Sequence, residues 1–359
     1  MKKTILHIIH DLGRGGAETM LVNVVKQLND YNNVIVTLLP QNHFKDELVC
    51  DKYYCLNIKS ILFLPFAAGK LKKIIKENKV DIVHSHLFWP SILARIATPA
   101  SIPLITTIHT SIATSIEYKS WYIKFLDKKT YGFRKNIIVA VSETALYNYF
   151  NFLKLKSYKS YKLYTFVDIN IFNSNNVSVK KDNTDVFKLI TVGALRQSKN
   201  YQFLIKAFKL LKNEKFQLDI YGEGPLFYEL QKSINETGVN IKLKGEIKNL
   251  QNIINQYDLY VMSSTYEGFS LSVLEAMAMK MPLLLSDIKS FREQCDNTAI
   301  YFNLENANDF VEKLQALSAD KNNLKDLGIA AHERAVTNFT LEQHMAGLRK
   351  IYEEVLTLN

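Results

Sequence analysis

The stretch YDLYVMSSTYEGFSLSVLEAMAMKMPLLLSD, residues 257–287, holds a strand-to-helix junction with a glutamate on each side. DLYVMSS predicts a short buried strand, because it is rich in apolar and β-branched residues. SLSVLEAMA predicts a helix of strong helix formers with Ser270 at its N-cap position. The N–H groups at a helix N-terminus attract an anion. Glu267 and Glu275 would then meet hydroxyl groups beside that anion, an arrangement that suits a sugar nucleotide.

The spacing of these two glutamates resembles the signature of retaining glycosyltransferases of family 4. The resemblance rests on EGFSLSVLEAMA at residues 267–278, followed by Pro282. It implies that Glu267 contacts the transferred sugar and that Glu275 contacts the nucleotide ribose. An ordinary strand-turn-helix unit with two unrelated glutamates is the alternative. The resemblance also assigns the turn between the glutamates to donor binding, through Gly268, Phe269, Ser270 and Leu271.

The length and composition agree with a two-domain enzyme. A chain of 359 residues exceeds what one ordinary core accommodates. Cys50, Cys55 and Cys295 are too few and too scattered for a disulfide framework, which favours a reducing compartment. The opening ILHIIH predicts a strand rather than a secretory signal, since His7 and His10 interrupt the apolar run. No apolar run is long enough to cross a bilayer, so we expect a cytoplasmic protein.

The positive charge is confined to the N-terminal half. Residues 1–170 hold 23 Lys and Arg against 12 Asp and Glu, whereas residues 171–359 hold 22 against 23. The excess is interleaved with aromatic side chains, which suits the anionic head groups on the inner face of the cell membrane. Solvated lysines above core aromatics are the alternative. We expect no nucleic-acid partner, because no recognisable binding module accompanies the charge. The aromatic residues concerned include Trp121, Phe125, Phe133, Phe150 and Phe152.

Strands alternate with helices along the whole chain, which predicts two doubly wound α/β domains. Predicted strands lie at residues 4–10, 33–39, 81–85, 104–109, 136–141, 187–192, 216–221, 241–244, 258–264, 283–285 and 299–302. Predicted helices lie at residues 17–29, 69–77, 89–97, 143–152, 200–212, 225–237, 251–255, 270–278 and 341–356, and a long helical region is predicted between the strands at 104–109 and 136–141. A loop rich in Asn and Ser at residues 173–184 predicts a linker.

This organisation resembles the B-type glycosyltransferase fold (GT-B), in which two Rossmann-like domains face a central cleft. The resemblance implies an acceptor-side domain at residues 1–170 and a sugar-nucleotide donor domain at residues 171–340. It also implies that the final helix, within residues 341–359, packs back on the first domain.

A glycine loop, Gly13-Arg14-Gly15-Gly16, follows the first predicted strand and opens a helix. Glycines let backbone N–H groups approach a phosphate, but the third glycine of a dinucleotide fingerprint is absent. The loop resembles the GGxE loop of family 4, which implies that Gly15 and Gly16 face the donor phosphate and the acceptor. A plain tight turn is the alternative.

Histidines end two of the predicted strands, at the edge where α/β proteins bind ligands. His84 and His86 alternate along one strand and so share a face, which could begin a zinc site. We expect no metal there, because no cysteine and few carboxylates accompany them. The resemblance implies that His109, which ends the strand LITTIH, abuts the donor sugar. A structural role remains open for His84 and His86.

A basic turn, GALRQSKN at residues 193–200, follows the first strand of the second domain. Two fixed cations could neutralise the charge that develops on a departing pyrophosphate. The turn resembles the GRLxxxKG segment of family 4, which implies a catalytic role for Lys199. Ala194 stands where the family often has arginine, and Arg196 is the candidate to replace it. A solvated basic turn is the alternative.

Two further glycine turns match family positions in the second domain. The resemblance of KGEI, residues 244–247, implies that the backbone of Glu246 and Ile247 lies near the nucleotide base. GEGP, residues 222–225, matches another turn of the family. Both could equally be ordinary strand-to-helix turns.

The sequence is therefore interpreted as a retaining hexosyltransferase that uses a nucleotide-sugar donor, with uridine the base that the resemblance favours. No DxD motif stands at a suitable strand end, so we expect no metal and no other cofactor. The expected acceptor is a saccharide, lipid-linked at a membrane surface, in capsule or lipopolysaccharide synthesis. A sugar-nucleotide epimerase on the same fold and a non-catalytic, glycosyltransferase-like partner are the alternatives.

Overall fold

The computed structural model describes residues 2–13, 15–58, 60, 63–112, 117–173, 185–211 and 215–358. These residues form two compact α/β units. Unit 1 comprises Met1–Thr165 with Glu342–Asn359, and unit 2 comprises Phe166–Leu341. The predicted linker at residues 173–184 lies, after its first residue, outside the described residues, and so does Arg14 of the glycine loop.

Unit 1 is built on a parallel sheet of seven strands in the order β3-β2-β1-β4-β5-β6-β7. The strands are β1 Thr4–Ile9, β2 Asn32–Thr37, β3 Lys52–Cys55, β4 Ile82–His86, β5 Leu104–Ile108, β6 Asn136–Ala140 and β7 Lys159–Lys162. The helices are α1 Gly16–Gln27, α2 Leu64–Glu77, α3 Phe88–Ala97, α4 Trp121–Tyr131 and α5 Glu143–Leu153, joined by the C-terminal helix α12 Leu341–Leu356.

Unit 2 repeats the scheme with six parallel strands in the order β10-β9-β8-β11-β12-β13. The strands are β8 Phe187–Val192, β9 Phe216–Tyr221, β10 Ile241–Leu243, β11 Leu259–Met262, β12 Leu283–Ser286 and β13 Ile300–Phe302. The helices are α6 Tyr201–Phe208, α7 Phe227–Thr237, α8 Leu271–Ala278, α9 Lys289–Cys295, α10 Ala307–Ala319 and α11 Lys321–Asn338.

Burial on both faces explains why the central strands are continuous apolar runs. In β1 every residue is buried, and alternate side chains enter different cores. Leu6 and Ile8 pack in the core that includes residues of α2 and α3, whereas Ile9 packs in the core that includes residues of α1. The sheet of unit 1 is thus sandwiched between two helix layers, as in other doubly wound folds.

Strand order reverses once in each sheet, between β1 and β4 in unit 1 and between β8 and β11 in unit 2. Chains leaving the carboxyl ends of such neighbouring strands diverge and leave a crevice where ligands of α/β proteins bind. The loops that follow these four strands contain or adjoin most of the candidate residues identified from the sequence.

The structure corrects several predicted elements. The helix predicted at residues 69–77 begins five residues earlier, at Leu64. Pro65 does not prevent this, because proline is tolerated in the first turn of a helix, where its missing N–H would have no partner. The helix predicted at residues 251–255 is wrong: two short 3₁₀ turns, Leu250–Asn252 and Ile254–Gln256, stand there. Asparagine competes for backbone groups and weakens a helix in such a segment. The helix predicted at residues 200–212 ends at Phe208.

The prediction also lacked β3, β7, α9, α10 and α11. β3 (KYYC) and β7 (KSYK) are edge strands without a fully buried residue. Their sequences therefore lack the apolar alternation that predicts a strand. Among the described residues, no helix combines the length and apolarity that crossing a bilayer demands. Cys50, Cys55 and Cys295 all carry free thiols.

Candidate functional site

The best-defined group of candidate residues lies where the strand order of unit 2 reverses. β8 and β11 are neighbours in the sheet, and the loops after them are tied together. The Ser263 hydroxyl donates to the carbonyl of Lys199 at 2.9 Å, and the Thr265 N–H donates to the carbonyl of Ser198 at 2.8 Å. These bonds fix the basic turn beside the loop that carries Glu267.

Lys199 and Glu267 form an ion pair inside this group. Lys199 Nζ lies 2.6 Å from Glu267 Oε1, and both side chains are only about 15% exposed. The Ser264 hydroxyl donates to the same Oε1 at 2.6 Å. Oε2 of Glu267 has no hydrogen-bond partner among the described residues, so one carboxylate oxygen is oriented by the protein and the other is available to a ligand.

Glu275, one of the sequence candidates, lies in α8 with an unpaired carboxylate. Its side chain is partly exposed, yet its surroundings are sufficiently apolar that burial raises its pKa to about 8. No hydrogen-bond or ion-pair partner for this carboxylate occurs in the described parts of the chain. A carboxyl group that is kept partly protonated and has no hydrogen-bond partner is energetically unfavourable. Hydroxyl groups of a bound ligand would supply the missing hydrogen bonds.

The start of α8 is held by residues that bridge it to other elements. Ser270 occupies the N-cap position, as predicted, but its hydroxyl makes no cap bond. Its N–H donates to Gln294 Oε1 at 2.9 Å. Contrary to the expectation from the sequence, this N–H is therefore not free to bind a phosphate. Gly268 and Phe269 precede it, and the Phe269 ring is buried against Phe339. Leu271 begins the helix.

Arg196 differs from Lys199 in its surroundings. Its side chain is exposed and forms no hydrogen bond or ion pair with Lys199 or Glu267 among the described residues. The structure therefore brings Lys199 and Glu267 together, but it does not join Arg196 to them. Arg196 as a substitute for the arginine missing at Ala194 stays a prediction.

Glycine turns bring the neighbouring loops of unit 2 into close contact. Gly222 has φ +143°, and a Cβ added to it would overlap the carbonyl oxygen of Gly193. The Gly222 N–H donates to the carbonyl of Gly245 at 2.8 Å. Glu246 and Ile247 follow at the end of β10, with Glu246 exposed. The predicted base-binding segment thus lies beside the loop after β8.

The glycine loop of unit 1 begins α1, with Gly15 as the N-cap and Gly16 as the first helical residue. Glu18 places its carboxylate against Gly15, so an acidic group already lies near this helix N-terminus. A phosphate at the loop would have to displace that carboxylate. Gly16 has open space around its missing Cβ.

Histidines cluster in the core of unit 1. His84 and His86 share a face of β4, as predicted, with ring centroids 4.4 Å apart. Sequence reasoning missed His7, which pairs with His84 across the sheet. Candidate ligand atoms of these three buried residues lie within 4.8 Å of one another. His84 is an unsuitable ligand, because Tyr352 and Thr107 hydroxyls occupy both its nitrogens at 2.7 and 2.6 Å.

His109 directly follows β5 and is linked to this cluster through His86. His86 Nδ1 and His109 Nε2 are 3.1 Å apart. Burial lowers the pKa of His7 and of His109 to about 3 each, and it lowers the pKa of His84 and His86 well below the usual value. All four imidazoles are therefore neutral at physiological pH.

Several supporting residues were not identified from the sequence. Ser264 precedes Glu267 by three positions and could have been noticed as a hydroxyl inside the quoted motif. Gln294 comes from α9, a helix that was not predicted, so no local signal pointed to it. The Ser272 hydroxyl, which donates to the carbonyl of Val192 at 2.9 Å, connects α8 to the end of β8.

Two family models match the chain in consecutive blocks. Residues 14–171 match the model described as Glycosyltransferase Family 4, and residues 173–334 match the model described as Glycosyl transferases group 1. With two parallel-sheet α/β units, these matches define the protein as a glycosyltransferase of the GT-B fold. The chain belongs to glycosyltransferase family 4, which confirms the resemblance found in its sequence.

Curated relatives cover most of the chain. CapH of Staphylococcus aureus, a capsular polysaccharide biosynthesis glycosyltransferase, is 28% identical over 80% of this chain and 82% of its own length. An enzyme of Campylobacter jejuni is 26% identical over 87% of this chain and 89% of its own. It is named N-acetylgalactosamine-N,N'-diacetylbacillosaminyl-diphospho-undecaprenol 4-alpha-N-acetylgalactosaminyltransferase.

Solved structures show the same fold. HepE of Anabaena, in complex with UDP and glucose, has a TM-score of 0.84 and 16% identity over 97% of this chain and 99% of its own. A glycosyltransferase of Rickettsia africae has a TM-score of 0.81 and 21% identity, with full coverage of both chains. At these identities the similarity establishes the fold alone.

Proposed function

We propose that the protein transfers a sugar from a nucleotide diphosphate sugar, with UDP as the carrier, to a saccharide acceptor with retention of configuration and without a metal ion. One observation carries this proposal. Lys199 and Glu267 form an ion pair where the strand order of unit 2 reverses, and Oε2 of Glu267 has no partner among the described residues. The unpaired carboxyl of Glu275 lies in the helix that follows.

These residues suit three parts of a sugar nucleotide. Lys199 supplies a positive charge for the diphosphate, which gains charge as its bond to the sugar breaks. The free oxygen of Glu267 accepts hydrogen bonds from the transferred sugar, and Glu275 accepts them from the ribose. Arg196 and the N–H of Leu271 are further candidates for contact with the diphosphate.

The proposed reaction breaks the bond between the anomeric carbon and the diphosphate oxygen. A new bond forms from the acceptor hydroxyl on the same face, and the hydroxyl proton passes to the departing diphosphate. Glu267 Oε1 already accepts bonds from Lys199 and Ser264, which favours a binding role over a covalent nucleophile. The charge of Lys199 replaces that of a metal ion, so no metal is needed.

The acceptor we propose is a lipid-linked saccharide in surface polysaccharide synthesis. The names of the relatives support this class: one acts in capsular polysaccharide biosynthesis, and another is named for a diphospho-undecaprenol acceptor. The UDP carrier is supported by the HepE complexes with UDP and UDP-glucose.

A surface of α4 suits an anionic lipid bilayer, which is the partner we propose for unit 1. Trp121 and Phe125 lie one turn apart on the outer face and are 78% and 57% exposed. Lys128 and Lys129 continue this face, and Phe133 follows the helix with 55% exposure. Exposed aromatics beside lysines match the boundary between lipid tails and anionic head groups.

The inner face of α4 is firmly held. Arg95 and Asp127 form a fully buried ion pair with 2.5 Å between Nη1 and Oδ1. The Tyr118 and Tyr149 hydroxyls donate to Asp127, and Arg95 also bonds Tyr149 at 2.9 Å. A buried network of this kind costs several kcal/mol if one partner is removed, so the outer aromatic residues are presented on a fixed helix.

Cosedimentation with vesicles tests the membrane proposal. Vesicles rich in phosphatidylglycerol should retain the protein at low salt, and neutral phosphatidylcholine vesicles should not. Replacing Trp121 and Phe125 together by serine should release it, whereas serine at Tyr228, which is 85% exposed in unit 2, should not. Equal retention of both variants would contradict the proposal.

The transfer itself is tested with a panel of UDP-sugars and a membrane lipid extract as acceptor. A product whose anomeric proton and carbon signals match the configuration of the donor supports the proposal. An inverted product would exclude retention. Release of an isomerised UDP-sugar without any acceptor would identify an epimerase instead.

A further inference from the structure

Three imidazoles of unit 1 form a continuous hydrogen-bonded chain, here called the histidine chain: His7, His86 and His109. His7 Nδ1 lies 3.4 Å from His86 Nε2, and His86 Nδ1 lies 3.1 Å from His109 Nε2. Both nitrogens of His86 are therefore used. His84 stands beside the chain but bonds only hydroxyl groups.

The inner end of the histidine chain is closed. His7 has no exposed surface, and its Nε2 has no hydrogen-bond partner among the described residues. It borders a cavity of about 10 Å³ whose other walls include Met20, Leu21 and Val24. Burial lowers the pKa of His7 to about 3, so at neutral pH the ring carries a single hydrogen.

The position of that hydrogen follows from the cost of burying it. An N–H group without an acceptor is rarer in protein interiors than an acceptor without a donor. The His7 hydrogen therefore sits on Nδ1 and points to His86 Nε2. A neutral His86 must then carry its own hydrogen on Nδ1 and donate it to His109 Nε2, because each neutral imidazole has one donor and one acceptor.

The outer end of the histidine chain is open. His109 accepts at Nε2, so its hydrogen is on Nδ1. Nδ1 has no partner within the described residues, and the His109 side chain is partly exposed. A ligand oxygen can therefore reach it.

We propose that His86 is a positioning residue which, together with His7, holds His109 as a neutral hydrogen-bond donor whose Nδ1–H meets an oxygen of the bound substrate. That this substrate is a sugar nucleotide or its acceptor rests on the proposed function. In this state His109 has no lone pair at Nδ1 and does not remove a proton. The proposed retaining reaction requires no such base, because the departing diphosphate takes the acceptor proton.

Nitrogen-15 NMR of histidine-labelled, full-length protein at pH 7.5 tests the tautomer directly. His109 signals, assigned by their loss in His109→Asn, should show hydrogen on Nδ1 and a bare Nε2. Hydrogen on Nε2, or a charged ring, would overturn the proposal. Shifts of the His7 and His86 signals with one equivalent of Zn²⁺ would also overturn it, because a metal would occupy their lone pairs.

Variants of His86 test the positioning role. His86→Leu should allow both His109 tautomers and lower kcat about tenfold, the effect of losing one buried hydrogen bond. His86→Asn should recover most of kcat, since its amide N–H can donate to His109 Nε2. His43→Asn, at an exposed histidine bonded to Gln41, is the control and should change neither the His109 tautomer nor kcat.

Unchanged His109 signals in His86→Leu would overturn the positioning role, as would equal kcat in the Leu and Asn variants. The NMR measurement uses no substrate, so it separates the two proposals. The expected tautomer without any sugar-nucleotide binding would contradict the proposed function and leave the histidine chain intact.

Discussion

Lys199 and Glu267 are 68 residues apart in the chain, yet their side chains meet with 2.6 Å between Nζ and Oε1. The meeting results from the adjacency of β8 and β11, which places the loops after both strands at the same sheet edge. Because both groups are about 15% exposed, the pair is partly desolvated and its charges interact strongly. The protein thus prepares a cation and a carboxylate together, with Ser264 holding the carboxylate.

Replacing either partner should abolish most of the transfer activity. Lys199→Met keeps the volume but removes the charge, and we expect kcat/KM to fall at least about a hundredfold. Glu267→Gln should have a similar effect. Because the two residues act as one unit, the double variant should be little worse than either single variant. Lys206→Met, at an exposed lysine of α6, is the control for charge removal.

Additive losses in Lys199→Met and Glu267→Gln would show that the two residues act separately. Normal kcat/KM in either single variant would exclude that residue from the proposed site.

Binding of a UDP-sugar should depend on pH through Glu275. Its pKa of about 8 means that the carboxyl is mostly protonated at pH 7, whereas ribose hydroxyls donate best to the ionised form. Affinity should therefore rise by up to about tenfold per unit between pH 6 and 8 and level off above. Calorimetry in buffers of different ionisation enthalpy should detect proton release on binding.

Glu275→Gln provides the matched comparison. It should remove the pH dependence of donor binding between pH 6 and 8, and a dependence that persists would assign it to another group. The folded-state pKa is raised above the unfolded value, so this carboxyl destabilises the fold increasingly as pH rises from about 4.5 to about 8. Glu275→Gln should therefore be more stable than the wild type at pH 9 but not at pH 4.

Unit 1 should lose stability in acid because of its buried histidines. The pKa of His7 is about 3 in the fold and about 6.5 when unfolded, so the unfolded state binds more protons between these values and stability falls as pH drops through them. Between pH 6.5 and 5, His7 alone should account for about 2 kcal/mol. Hydrogen exchange of β1 and β4 amides measures the effect.

The slope with pH, rather than the absolute stability, identifies the histidine responsible. His7→Asn should lower the acid slope by about one proton even if the variant is less stable throughout. An unchanged slope would place the titration elsewhere.

Replacing two glycines with different surroundings by alanine should have different effects on stability. Gly222→Ala would force a Cβ onto the Gly193 carbonyl at φ +143° and should destabilise unit 2 by at least about 2 kcal/mol. Gly16→Ala meets no atom within 4 Å and should leave the melting temperature unchanged. A loss of activity in Gly16→Ala at unchanged stability would show that a ligand approaches this loop closely.

The sequence predicted the parts of the fold that local patterns encode. β8, built of FKLITV, and α12 match their predicted bounds, because apolar alternation and amphipathic periodicity are local. The polar edge strands β3 and β7 were not predicted, because pairing with the neighbouring strand, rather than their own composition, holds them in place.

The same division applies to the candidate site. Glu267 and Glu275 were found because their spacing lies within one motif. Their partners and surroundings were not predictable in this way: the bond from the Ser270 N–H to Gln294 spans 24 residues, and His7 is joined to His86 across 79. Such pairings depend on strand order and helix packing, which single-sequence patterns do not determine.

The nucleotide-sugar site in unit 2 is best tested by calorimetric binding of UDP, ADP and GDP to the wild type, Lys199→Ala and Glu275→Ala. We expect UDP to bind the wild type selectively and both variants to lose this binding, whereas Lys206→Ala should keep it. Failure of every diphosphate to bind the folded wild type would contradict a nucleotide-sugar site in unit 2. Undiminished UDP binding by both variants would contradict its placement at Lys199 and Glu275.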